Sequence, residues 1–155
     1  MESMQAVKIA RGHMYFVPRD YMAKLSLFED LIDLLEQNNQ FQRPGRSPLA
    51  ANSMFVVNDA KQRDKMAFAF YTAARKEIEE YEERATHLIQ SGSQSPSILE
   101  KLSLRIRALE EKRSYYEGIL NKELTALDDQ FTSLRYLSDE LQIRARGLRM
   151  KKKAA

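Results

Sequence analysis

The chain has 155 residues, 43% of them hydrophobic and 30% charged, with a formal net charge of +3 and no cysteine. Those values suit one globular domain and exclude disulfide scaffolds, cysteine-ligated zinc and thiol catalysis. No apolar run approaches the ~20 residues of a bilayer-spanning helix, and no basic-then-apolar leader opens the chain. The expectation is a protein that is neither secreted by a signal peptide nor transmembrane, cytoplasmic or enclosed in a virus or phage particle.

Residues 1–19 carry Val7, Ile9, Met14, Phe16 and Val17, which suits a short strand or an extended arm lying on a partner. Pro18 ends that stretch, and Phe16 and Val17 are its candidate contact residues. Asp20 is the expected N-cap of a helix running to about Asn38. Met22, Leu25, Phe28, Leu31, Ile32 and Leu35 recur there at three- and four-residue steps, while Glu29, Asp33 and Glu36 fall opposite. That alternation is the mark of an amphipathic helix.

Pro44-Gly45 and Ser47-Pro48 then interrupt the pattern. A second helix is expected to start either at Ser47-Pro48 or at Asn58-Asp59, because Met54-Phe-Val-Val57 is β-prone. Its stripe is Val57, Ala60, Asp64, Ala67, Tyr71, Ala74, Ile78, Tyr81, Ala85 and Leu88. The alanines leave room for larger side chains from a neighbouring helix.

The polar run Gln90–Ser97 marks a turn, and Ser97 with Glu100 has the spacing of a capping box. From Leu99 every seventh residue reads Leu99, Ile106, Arg113, Leu120, Leu127, Leu134, Leu141 and Leu148, seven of the eight being Leu or Ile. A seven-residue apolar repeat of that length predicts a coiled coil. The expected fold is therefore all-α: a long antiparallel coiled-coil helical hairpin, with a shorter N-terminal helix and an extended N-terminal arm. Its expected division places the arm and amphipathic helix in 1–45, and the hairpin with a basic tail in 46–155. A third helix of ~50 residues at ~1.5 Å each spans ~75 Å, more than the second helix covers. Leu134, Leu137, Leu141 and Leu148 are thereby left as a candidate partner interface.

The last twelve residues hold six cations, Arg144, Arg146, Arg149, Lys151, Lys152 and Lys153, and no acid. The rest of the chain carries 19 basic against 22 acidic residues, so the positive balance belongs to this tail. Six cations can neutralise several phosphates in a salt-sensitive, sequence-independent way, and they also suit a helix C-terminus.

Candidates for catalysis are sparse. His13 and His87 belong to no triad, and Ser91-Gly92-Ser93 is not a phosphate loop. Glu79, Glu80, Glu83 and His87 share a helix, but Glu83 precedes His87 by four residues where di-metal bundles use three. No catalytic residue, metal ligand or cofactor is expected. The sequence points to a non-enzymatic structural subunit that oligomerises or docks into a virion, a secretion machine or another large complex. The alternative is a nucleic-acid-binding packaging or scaffolding factor that uses the basic tail.

Overall fold

The computed structural model describes residues 2–9, 13–39, 45 and 47–154, with side chains at 2 and 152–154 set aside. It is mostly helical. Two compact units divide within one helix, between Lys65 and Met66, and the expected boundary at 45/46 lies inside the first of them.

In the first unit, the described residues up to 21 form a small ribbon and not a simple extended arm. A 3-10 turn at Glu2–Met4 precedes β1 (Val7–Lys8), which pairs antiparallel with β2 (Tyr15–Phe16). Val7 stands opposite Phe16 and Lys8 opposite Tyr15, and the Ile9 amide donates to the Met14 carbonyl at 3.1 Å. Met4, Val7 and Pro18 are buried.

Asp20 is not the N-cap of the next helix, a place taken by Tyr21. It lies in a 3-10 turn, Arg19–Tyr21, and α1 spans Met22–Gln37. The C-terminal end of α1 is closed by Asn38, whose side-chain amide and backbone N–H both reach the Leu34 carbonyl. Asn is suited to this place because its short side-chain amide can add a second hydrogen bond to a carbonyl of the last turn.

Residues 47–57 are not helical. Helix α2, Ala60–Gln90, starts at the later of the two expected positions. Asp59 sets that start: its carboxylate accepts the Gln62 amide at 2.7 Å, the third of the helix's otherwise open N–H groups. The far end is closed around Gly92, at φ +63°, with the Gly92 amide bonded to the Ile89 carbonyl and the Ser93 amide to that of Leu88. That left-handed backbone is the conformation glycine adopts at no steric cost.

The second unit contains α2 from Met66, α3 (Pro96–Leu120) and α4 (Asp128–Ala154). Pro96 takes the first position of α3 and Ser95 the N-cap, so Ser97 and Glu100 form no capping box. Ser97 instead lies 3.2 Å from the Ser95 hydroxyl.

The main correction falls at residue 121. The expected single third helix is two helices, because α3 stops at Leu120. Asn121 adopts φ 46° and ψ 48°, and the Asn121 and Lys122 amides return to the Gly118 and Glu117 carbonyls. Asparagine is one of the few residues with a Cβ that enters the left-handed region readily. A 3-10 turn, Thr125–Leu127, leads into α4, whose first turn carries Asp128 and Asp129. The seven-residue step from Leu120 to Leu127 therefore crosses a turn. Leu120, Leu124 and Leu127 are all buried and fill its interior.

Helix α4 runs back along α3. Their contacts extend from the turn, where Arg113 meets Asp128, to the far end, where Arg149 meets Glu100. Leu99, Leu102, Ile106, Leu109, Tyr116 and Leu120 of α3 are buried, as are Phe131, Leu134, Leu141 and Ala145 of α4. Ser103 and Ser138 are buried in the same seam, hydroxyl to hydroxyl at 2.8 Å, and the Gln142 amide donates to Ser103 at 2.8 Å. Such small side chains let two backbones approach closely, and their hydroxyls satisfy each other in the low-dielectric seam. Helix α2 contributes Ala67, Phe70, Ala74, Ile78 and Ala85 to the core, with the Phe70 ring 5.2 Å from that of Tyr116.

Candidate interaction surfaces

Two of the four leucines expected to face a partner are fully covered by their own chain, and the other two partly so. Leu134 and Leu141 have no exposed surface, and Leu137 and Leu148 are half-buried. The break at Asn121 folds α4 onto α3, so the supposed overhang has a partner helix within the molecule. Phe16 and Val17 are half-buried too, with Phe16 paired through its backbone to Val7.

Arg113, the one polar member of the heptad stripe, is explained by the same turn. Its guanidinium donates to Glu117 at 3.2 Å and to Asp128, and stacks over the Phe131 ring at 5.0 Å. Glu117 also accepts the Leu124 amide at 2.9 Å. One cation thus ties together the end of α3, the connecting turn and the start of α4. Burial disfavours its charge, but the hydrogen bonds it donates to Asp128 and Glu117 outweigh that and hold the Arg113 pKa above its ordinary value.

The six tail cations are not equivalent. Arg144 pairs with Glu140 at 2.6 Å and donates to the Ile89 carbonyl of α2 at 3.1 Å. Arg149 makes a two-pronged contact with Glu100, both bonds at 2.6 Å. The hydrogen bond from Arg149 pulls the Glu100 pKa below the ordinary carboxylate value, and Glu100 in turn raises that of Arg149. Arg146 and Lys151 are exposed on α4. The side chains of Lys152 and Lys153 lie outside the described residues.

On α2, Glu79, Glu80, Glu83 and His87 all point to solvent. Among the described residues no group of three or more histidine or acidic side chains is placed to hold a metal ion. Nor is any described helix long and apolar enough to cross a membrane.

Two exposed apolar surfaces escaped the heptad reading. Helix α1 has no buried residue at all. Leu27, Leu31, Leu34 and Leu35 are exposed along it, while Leu25, Phe28 and Ile32 are half-exposed. Met54, Phe55, Val56 and Val57, read as β-prone, lie in no strand, and Phe55 is 85% exposed. Both surfaces are in the first unit. A second stripe runs along α4, where Tyr136, Ile143 and Met150 are exposed. Its seven-residue spacing was open to view in the sequence, one face away from the buried leucine repeat.

A family model matches residues 1–147, nearly the whole chain, and the protein belongs to that family, DUF6744, a family of unknown function. No curated protein and no solved structure matches the chain.

Proposed function

We propose that this protein is a non-enzymatic interaction subunit that docks into a larger assembly, with α1 as its principal docking element. The observation that carries the reading is the absence of any buried residue on a helix that displays four exposed leucines. Each buried leucine contributes about 1.5–3 kcal/mol, so an uncovered row of this kind is costly unless a partner covers it. Amphipathic helices that seat in a groove use apolar anchors at three- and four-residue steps, as Leu27, Leu31 and Leu34 are spaced. Asp30 and Asp33 lie along one side of those anchors, so the fitting groove is apolar with a basic edge on that side. The segment 54–57 adds apolar surface from the same unit.

A second reading, polyanion binding by the C-terminal end of α4, draws on the exposed Arg146 and Lys151. It has less support than the sequence alone gave it, because Arg144 and Arg149 already have carboxylate partners.

The test replaces Leu27, Leu31 and Leu34 together by Asp in the full-length chain. The expected result is an unchanged thermal midpoint with loss of co-purification with the native assembly, relative to the wild-type chain from the same source. A midpoint lowered by more than a few degrees shows instead that the chain itself covers α1, and the docking role fails.

A further inference from the structure

The outer face of α4 carries a pattern that α1 lacks. Tyr136, Ile143 and Met150 are 73%, 65% and 72% exposed, at seven-residue steps, on the side opposite Leu134, Ser138 and Leu141. Gly147 lies on that same face, where an added Cβ would meet nothing within 4 Å, so a second backbone can come close. The charges around this stripe are segregated about its midpoint. Asp139 and Glu140 precede Ile143 by about one turn, and Arg144 and Arg146 follow it by one turn or less.

We propose that this face is an isologous contact between two copies of the chain, α4 against α4 in antiparallel order, with Ile143 on the two-fold axis. In that order Ile143 meets Ile143 of a second copy, and Tyr136 meets the other Met150, an aromatic–thioether contact. Corresponding flanks of antiparallel helices face each other, which brings Asp139 level with the other copy's Arg146, twice over by symmetry. A parallel pairing sets acid against acid and base against base. A uniformly acidic or basic partner satisfies only half of the face, whereas a rotated copy satisfies all of it. Three large apolar side chains per copy fall at the low end of stable interfaces, so the dimer dissociates readily on dilution. The inference rests on α4 alone, and the docking role rests on α1, so either can fail without the other.

The test uses the full-length chain, which has no native thiol. Sedimentation velocity across a broad concentration range is expected to show a monomer–dimer equilibrium. Asp139→Arg and Arg146→Asp each replace two opposite-charge pairs with two like-charge pairs, and each weakens the dimer about tenfold. Mixing the two variants recreates opposite-charge pairs and restores the dimer. Ile143→Cys forms a disulfide-linked dimer on mild oxidation far faster than Leu104→Cys, which puts an equally exposed thiol on α3. A monomer at every concentration, equal cross-linking of the two cysteine variants, or a dimer indifferent to both charge reversals overturns the proposal. A dimer abolished by the α1 triple-Asp variant but retained by Asp139→Arg overturns it as well and transfers self-association to α1.

Discussion

Truncation of Leu134 to Ala distinguishes a leucine held inside the chain from one awaiting a partner. Its side chain has no exposed surface and packs in the seam between α3 and α4. Leucine-to-alanine changes at such positions lose the transfer energy of the deleted carbons and leave a cavity, together about 3–5 kcal/mol. A chain of this size has about 8–20 kcal/mol in total, and the second unit holds only part of that. At 4–8 °C per kcal/mol for a unit of this length, the thermal midpoint falls by roughly 12–40 °C. Leu141→Ala is expected to cost a similar amount. The two sites lie about two helical turns apart, far enough for their effects to add approximately, so the double variant is largely unfolded at room temperature. Urea denaturation followed by circular dichroism, at protein concentrations where sedimentation shows only monomer, measures each loss. Ile143→Ala, on the exposed face of the same helix, is the control and should change stability by less than about 0.5 kcal/mol. A loss below about 1 kcal/mol for Leu134→Ala refutes the packing of α4 on α3 described here. So does a Leu134→Ala chain whose only change is its oligomeric state.

Two further outcomes follow from polar contacts between the same helices. Ser103→Ala strands the Ser138 hydroxyl and the Gln142 amide and costs about 1 kcal/mol, near the low end because a helical serine can turn to its own backbone. The Ser103→Ala/Ser138→Ala double variant should cost little more than either single change, a coupling that a denaturation cycle detects; strict additivity contradicts the paired hydroxyls. Glu100 has a folded pKa depressed below the ordinary value of about 4.3, chiefly through its hydrogen bond from Arg149. Its contribution to stability is thus present above that ordinary value and is lost as pH falls through the lower folded value. Carbon-detected NMR titration should find the Glu100 midpoint lowered, and Arg149→Ala should return it to the ordinary value; no change on that substitution argues against the clasp.

Much of the helical architecture was legible because periodicity is a one-dimensional trace of burial. Ala67, Ala74, Ile78, Leu99, Leu102, Ile106 and Leu109 lie in the core, as their spacing foretold. The turn at Asn121 stayed hidden because Leu120, Leu124 and Leu127 keep apolar residues at helical intervals while serving as the filling of a bend. The heptad count runs through that bend undisturbed. The local chemistry nonetheless marked it: Gly118 and Asn121 are helix-ending residues, and the Asp128-Asp129 pair belongs at a helix start. The basic tail was legible as composition only. That Arg144 and Arg149 have partners depends on Glu140, Ile89 and Glu100, and the last two are brought close by chain reversals at 91–95 and 121–127. Helix α1 illustrates the opposite limit. Its amphipathic pattern was plain, but a pattern announces a face to be covered without saying whether the chain supplies the cover.

The two short reversals that join α2, α3 and α4 also govern how the second unit is reached from the unfolded state. Each helix is followed at once by the one it must meet, so the loops that close are brief and little entropy is lost before packing begins. Proteins dominated by such neighbour-to-neighbour contacts fold within microseconds to milliseconds. The Arg113 ties and the leucines at the Asn121 bend lie beside the shortest loop between α3 and α4, whereas the Arg149–Glu100 clasp closes the longest one. Formation of that hairpin therefore runs outward from the bend, and its open end is the first part to fray.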